Sequence, residues 1–586
     1  MISWTRKVDP QMYFRRLLLS CAAAQVLALA APQAFAQSAP TLVLPYNVGA
    51  AVREADDARQ APPPRERATP VLPQIAEPRF TLASKETLFV KHFVVEGPLL
   101  VQESELQEIL APYEGRKLTL GDIYGAADKV TLLYRAKGYL VAKAYVPAQD
   151  ARSGSLKIKL VVGKYGSVLV KNSSAVGTGF LQGVVDTALE DEALIHKDAL
   201  ERALLLVSDL PGAGVPRVVI SPGKARETSD FQFAVPEGKR IEGYLLGDNF
   251  GSPYTGRDRL NGGFNINSPL GFGDRLSGSA IVSERAALAN GRVAYSVPLG
   301  PEGLRAEIGA YRTTYALGGA YKDLDATGSA YAITGTLSYA LIRQREESIS
   351  LFANFTHKWL NDKIADTSTA NRNIALGTLG VTRDTAQEFF GLPLATSSTL
   401  SFTSGYVNYL DVTQKIQNRA GVDTVGNFYR INLSVNATVA LDEHLSFSTY
   451  LRAQKALYGN LDTSEQFSLG GFWGVRSFDE GLAGDSGYIV TPELKYALPQ
   501  IENYRHALGV FTDIGGVWLE NGSYTTTQRS YTGVNDLGVG YYATYDIGGG
   551  SLLVLKAQAA HTYGTNSGAT AYDRHTKGLV QVGFTF

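Results

Sequence analysis

Over its last three-fifths, from about Lys239 to Phe586, the chain alternates apolar and polar residues in short runs. Leu445, Phe447, Leu451 and Ala453 are interleaved with Ser446, Ser448, Arg452 and Gln454. Leu553, Leu555, Ala557 and Ala559 flank Lys556 and Gln558, and Val580, Val582, Phe584 and Phe586 flank Gln581 and Thr585. Successive side chains of a strand point to opposite faces, so this period predicts a wall that is apolar on one side and wet on the other. An antiparallel transmembrane β-barrel has that texture. The spacing alone is compatible with about fourteen to eighteen strands of roughly ten tilted residues each.

Upstream the period changes. Ile123, Ala126, Ala127, Val130, Leu133 and Tyr134 recur at helical spacing, predicting a helix over 122–137 that Gly138 closes. With strands at 89–95, 139–146 and 156–162 and a helix at 103–113, residues 87–164 read as a β-α-α-β-β unit. Residues 165–237 repeat that order, with a strand at 168–170, helices at 179–189 and 198–207, and strands at 217–220 and 231–235. No room remains for a third unit before the barrel at 238–586. Asn47 is placed to cap a short polar helix over 47–60, and residues 61–86 form a proline-bearing linker.

A chain of 586 residues exceeds one ordinary domain. Its N-terminus carries Arg6, Lys7, Arg15 and Arg16, then an apolar run, then Ala34-Phe35-Ala36, the layout of a signal peptide over 1–36 cleaved after Ala36. Cleavage would remove Cys21, the one cysteine, which argues against disulfides, thiolate metal sites and cysteine catalysis. The seven histidines show no two-ligand spacing, no phosphate-binding loop appears, and a net charge of −1 does not suggest a nucleic-acid partner. Gly484-Asp485-Ser486-Gly487 echoes a serine-protease turn, but Tyr488 stands where a glycine belongs. No catalytic residue, cofactor or metal is therefore expected.

The stretch with the most specific chemistry is Gly470-Gly471-Phe472-Trp473-Gly474-Val475-Arg476-Ser477-Phe478. Its glycines permit close backbone approach, and they bracket one arginine between apolar neighbours. Downstream, Asp513 sits in an apolar strand-like run, an expensive place for an unpaired carboxylate. Pairing of Arg476 with Asp513 is predicted.

These residues resemble the signature of polypeptide-transporting outer-membrane barrels. Val475-Arg476-Ser477-Phe478 is similar to that family's inward-loop tetrad, with Ser477 in place of glycine, and Phe511-x-Asp513-x-Gly515 is similar to the strand facing it. Glu493, in Thr491-Pro492-Glu493, matches the acidic position of the strand after the loop. Leu118-Thr119, Gly138-Tyr139 and Val146-Pro147 resemble the phrases of a POTRA domain. By this resemblance the chain is identified as a two-partner secretion transporter of the TpsB type, related to haemolysin and haemagglutinin activators.

The resemblance implies two POTRA domains in the periplasm and a sixteen-stranded barrel in the outer membrane of a Gram-negative bacterium. It implies that the 47–60 helix plugs the pore, that the inward loop is locked by Arg476 and Asp513, and that Phe586 is an insertion signal. The implied partners are an unfolded TpsA-type exoprotein, outer-membrane lipid and, during biogenesis, the barrel-assembly machinery. Secretion would proceed without ATP. A barrel-assembly factor is the alternative within the superfamily, disfavoured by the count of two POTRA units, and a passive porin lacks such units.

Overall fold

The structure, a computed structural model, describes residues 46–58, 86–190, 193–479, 482–520, 531–564 and 576–586. The signal peptide with Cys21, Ala34 and Ala36, and all of the linker except residue 86, lie outside the described residues.

Sixteen antiparallel strands, each paired with its sequence neighbours, close into a barrel that runs from Ile241–Asp248 to Thr576–Thr585. The alternation read from the sequence sorts side chains across the wall. On the strand Leu392–Tyr409, Leu400, Phe402 and Tyr406 face outward and are exposed, while Thr403, Gly405 and Val407 face inward and are buried. No described helix is long and apolar enough to cross a membrane. The closing seam is short, five Cα partners from Gln581↔Asp248 to Thr585↔Tyr244. Asn249 extends it with its side chain, which donates to the Gly578 carbonyl at 3.0 Å and accepts from the Val580 N–H at 2.8 Å. At the other end of the seam Gly243 and Phe586 exchange backbone hydrogen bonds.

Two α/β units precede the barrel. In the first, the helices Glu103–Leu110 and Leu120–Ala136 pack on the strands His92–Glu96, Lys143–Tyr145 and Ser155–Val161. The single strand expected at 89–95 is two. Thr87–Val90 pairs antiparallel with Arg116–Thr119, a short strand between the helices that the apolar pattern did not announce, and His92–Glu96 pairs parallel with Ser155–Val161. The strand expected at 139–146 shrinks to Lys143–Tyr145, because the chain turns directly after Gly138, at φ +98°. The helix expected to reach residue 113 ends at Leu110 and continues as one 3-10 turn, Ala111–Tyr113, with Pro112 inside it. Thr119 and Asp122 form a reciprocal capping box on Leu120–Ala136. Accepting from the Thr119 hydroxyl and N–H holds the Asp122 carboxyl below its ordinary value.

The second unit pairs Lys164–Asn172 parallel with Thr228–Val235, and Arg217–Pro222 antiparallel with it, beneath the helices Thr178–Leu189 and Lys197–Ser208. It is docked on the barrel rim. Arg343, the last residue of the barrel strand Ala326–Arg343, forks onto Asp209 at 2.7 and 2.9 Å, and Arg202 donates to the carbonyls of Glu302 and Ala340. The Asp209 and Arg343 side chains are 32% and 23% exposed, so a bidentate pair here is worth about 1 kcal/mol, above an ordinary surface pair but screened by water. Asp209→Ala is expected to broaden the distance distribution between spin labels on this unit and on the barrel rim; an unchanged distribution would assign the docking to the other contacts, the Arg202 bonds and the Gly177 N–H to Gly271 carbonyl bond among them.

Candidate functional site

The inward loop leaves the barrel after the strand Leu445–Tyr458 and returns at Ser486–Ala497. A two-residue ladder, Phe467–Ser468 against Ala483–Gly484, gathers its base. Between them the chain turns tightly: Val475 N–H donates to Leu469 O, and Gly471 N–H to Phe478 O. A side chain at Gly474 would place its Cβ 2.1 Å from the Leu469 carbonyl oxygen, so that turn admits only glycine. Val475 and Phe478 are fully buried with Phe467, Leu469, Ile489, Val517 and Val534. Gly515 opens the wall for this packing, since a Cβ there would lie 2.5 Å from Leu469 Cδ1.

This packing aims Arg476 at the wall. Its Nε and terminal nitrogen donate to the two oxygens of Asp513 at 2.9 and 3.0 Å, and its own backbone N–H donates to Asp513 at 3.1 Å. Arg476 is 7% exposed and Asp513 0%. The guanidinium carbon also lies 3.5 Å from the centroid of the Phe511 ring, which adds a cation–π contact. Asp513 is on the strand Tyr504–Trp518, one face from the exposed Val510 and Ile514, so it points into the lumen. Glu493, the Cα partner of Phe511, does not touch Arg476; it accepts from the Tyr542 hydroxyl and pairs with Lys495 at 3.1 Å. Serine is accommodated at 477 because its φ is negative, and no left-handed backbone is required there.

Several residues of the site carried no local signal. Asp536 stands directly across from Asp513 and accepts from the Ser477 N–H at 2.7 Å, a second acidic side chain holding the tetrad. Asp479 is clasped by Arg257 at 2.9 Å, from the connection between the first two barrel strands, and by Lys577 at 2.9 Å, from the last strand. Burial works against its charge, yet the guanidinium and the ammonium hold the Asp479 carboxyl below its ordinary value. Phe472 stacks on Phe250, 3.8 Å between centroids.

The helix Val48–Ala58 also lies inside the barrel, with Asn47 accepting from the Ala50 N–H at its start. Val48, Ala51, Val52 and Ala55 are buried, Ala55 against the inward-facing Ile281. The Val48 N–H donates to Asp362 at 2.8 Å, where the positive end of the helix favours an anion. Tyr315 and Arg372 share that carboxylate, and Arg372 also binds Asp462 at the base of the inward loop. At the next turn Glu54 accepts from Tyr46 at 2.7 Å and from Arg259 at 3.0 Å, and Arg259 in turn holds Asp248 of the first strand. Gly49 is pressed against the inward loop: a Cβ there would lie 2.5 Å from Ser464 N. Ser486 is a structural residue, its hydroxyl donating to Glu520 and accepting from Ala456 N–H. Among the described residues no group of three or more His, Cys, Asp or Glu is placed to hold a metal ion.

A closed barrel with a pinned inward loop, fed by small α/β units, defines the class of POTRA-barrel transporters of the outer membrane. Within that class the chain belongs to the haemolysin secretion/activation protein family ShlB/FhaC/HecB, whose profile it matches over residues 227–539, with a ShlB-type POTRA domain at 88–163. It is 29% identical over 426 residues to the heme/hemopexin transporter protein HuxB of Haemophilus influenzae strain 86-028NP, covering 72% of this chain and 74% of that one. It is 24% identical over 445 residues to the outer membrane transporter CdiB of Escherichia coli O6:K15:H31, covering 74% and 73%. Its fold is similar to that of CdiB from Escherichia coli, with TM-score 0.69 and 20% identity over 93% of this chain and all of that one. CdiB from Acinetobacter baumannii gives TM-score 0.60 and 16% identity over 92% and 99%.

Proposed function

We propose that this TpsB-type transporter captures an unfolded exoprotein in the periplasm through its POTRA units and passes it outward through the barrel lumen. The observation that carries this reading is the shielded Arg476–Asp513 fork, which fixes a loop inside a closed cylinder that a polypeptide would have to traverse. The lumen is occupied by two separable elements, the loop and the helix Val48–Ala58, so the observed state is a resting one and the helix is a plug. Capture proceeds by strand addition: in the second unit Arg217–Pro222 is the sheet edge open to a further strand, whereas on the other edge, Lys164–Asn172, the Gln182 side chain already takes up the Val170 N–H and the Val168 carbonyl. Energy comes from folding of the exoprotein at the cell surface rather than from a nucleotide. Phe586, stitched to Gly243 at the seam, would act during assembly as the insertion signal.

Deleting residues 87–237, both POTRA units, tests the receptor role. The shortened protein is expected to remain in the outer membrane but to lose both secretion of its cognate exoprotein and co-purification with it. Normal co-purification would sink that role.

A further inference from the structure

The outer connection that follows Leu392–Tyr409 contains a nine-residue helix, Val412–Ala420, whose exposed stripe the transport reading leaves unused. Val412, Ile416 and Arg419 fall on one face at helical spacing. Val412 is 71% exposed and Ile416 64%, and the flanking Leu410 and Val422 are 54% and 49% exposed. The stripe cannot roll inward, because the opposite face is bonded. Gln414 accepts from the Asn371 N–H at 2.7 Å and donates to Ser368 O at 2.8 Å, and Asn418 donates to Tyr409 at 3.1 Å and Thr424 at 3.0 Å. Asp411 is used as the N-cap, accepting from the Gln414 N–H.

We propose that this helix is a lipid anchor, seated on a phosphate-bearing lipid of the outer leaflet. The stripe begins where the lipid-facing row of the wall ends. Leu400, Phe402 and Tyr406 are the exposed outward residues of the strand, Asn408 is the next on that row, and Lys415 Nζ donates to Asn408 Oδ1 at 3.3 Å. Lys415 thereby ties the helix to the outward row while Asn418 reaches Tyr409 on the inward row, so the helix straddles the rim, and the proposed lipid contact is made by the stripe opposite Gln414 and Asn418. Lys415 and Arg419 border the stripe, the arrangement in which apolar side chains enter the acyl region and cations remain at headgroup level. Asp411 and Asp423 are exposed just outside the two ends of the helix, so positive charge is confined to its own Lys415 and Arg419, beside the stripe. That charge favours lipid phosphates over a neutral headgroup.

The test uses the exported protein with Thr413→Cys, the new thiol carrying an environment-sensitive bimane beside the stripe. The protein is reconstituted in phosphatidylcholine liposomes with or without lipid A, and quenching by acrylamide is measured. Lipid A is expected to shift the bimane emission to the blue and to lower acrylamide quenching several-fold, whereas inorganic phosphate added to plain phosphatidylcholine should do neither. Lys415→Gln and Arg419→Gln should each weaken the lipid A effect roughly five-fold, the worth of one basic residue near an anionic surface. Val412→Asn with Ile416→Asn should remove the shielding. Equal acrylamide access with and without lipid A would overturn the proposal. So would shielding that grows only with protein density, the sign of a second copy, or that requires added exoprotein.

Discussion

Arg476→Ala and Asp513→Ala are each expected to abolish or sharply reduce secretion while leaving the barrel folded in the outer membrane. Removing one partner of a buried pair costs about 3–5 kcal/mol, because the other charge is left without compensation. Applied to the loop alone, that shifts the balance between its docked and undocked positions by roughly a hundredfold or more. The barrel wall, held by its ladder hydrogen bonds, survives. Arg476→Lys should recover little, since an ammonium cannot reproduce the two parallel bonds to Asp513 or the stacking on Phe511. The check is exoprotein in the culture medium, with heat-modifiable electrophoretic migration reporting the barrel; wild-type secretion by either alanine variant would remove the lock from the mechanism.

The second large effect is expected from residues 47–60. Their deletion should raise single-channel conductance in planar bilayers by several-fold, because the buried helix Val48–Ala58 fills part of the lumen. Arg259→Ala and Asp362→Ala each release one end of the helix, so each should give intermittent openings to the same conducting level. Conductance unchanged by the deletion would reject the plug.

The fold was legible because the barrel writes its wall as a period of two and the POTRA helices write their buried faces at helical spacing. The tetrad and the Phe-x-Asp-x-Gly strand were legible for a different reason: each is a short run whose glycines and lone charge make sense only in close contact. What escaped was set by pairing across distance. Asp536 reads as one more strand residue until Tyr531–Gly548 is laid beside Tyr504–Trp518 and its carboxylate comes level with Asp513. Asp362 meets Val48 across 314 positions, and Arg257 meets Asp479 across 222, separations at which no local pattern is informative. The break at Lys91 was hidden because Thr87–Val90 and His92–Glu96 are equally apolar but find different partners.

Asp479 joins Arg257 on one flank of the closing seam to Lys577 on the other, across the joint where the barrel has the fewest rungs. On the proposed mechanism the loop would be a buckle as well as a stopper: pulling it out of the cylinder would unfasten the two margins it straddles. A cargo that displaces the stopper would find the tube wider at the very edge where the wall can give, so traffic and bore are mechanically one event.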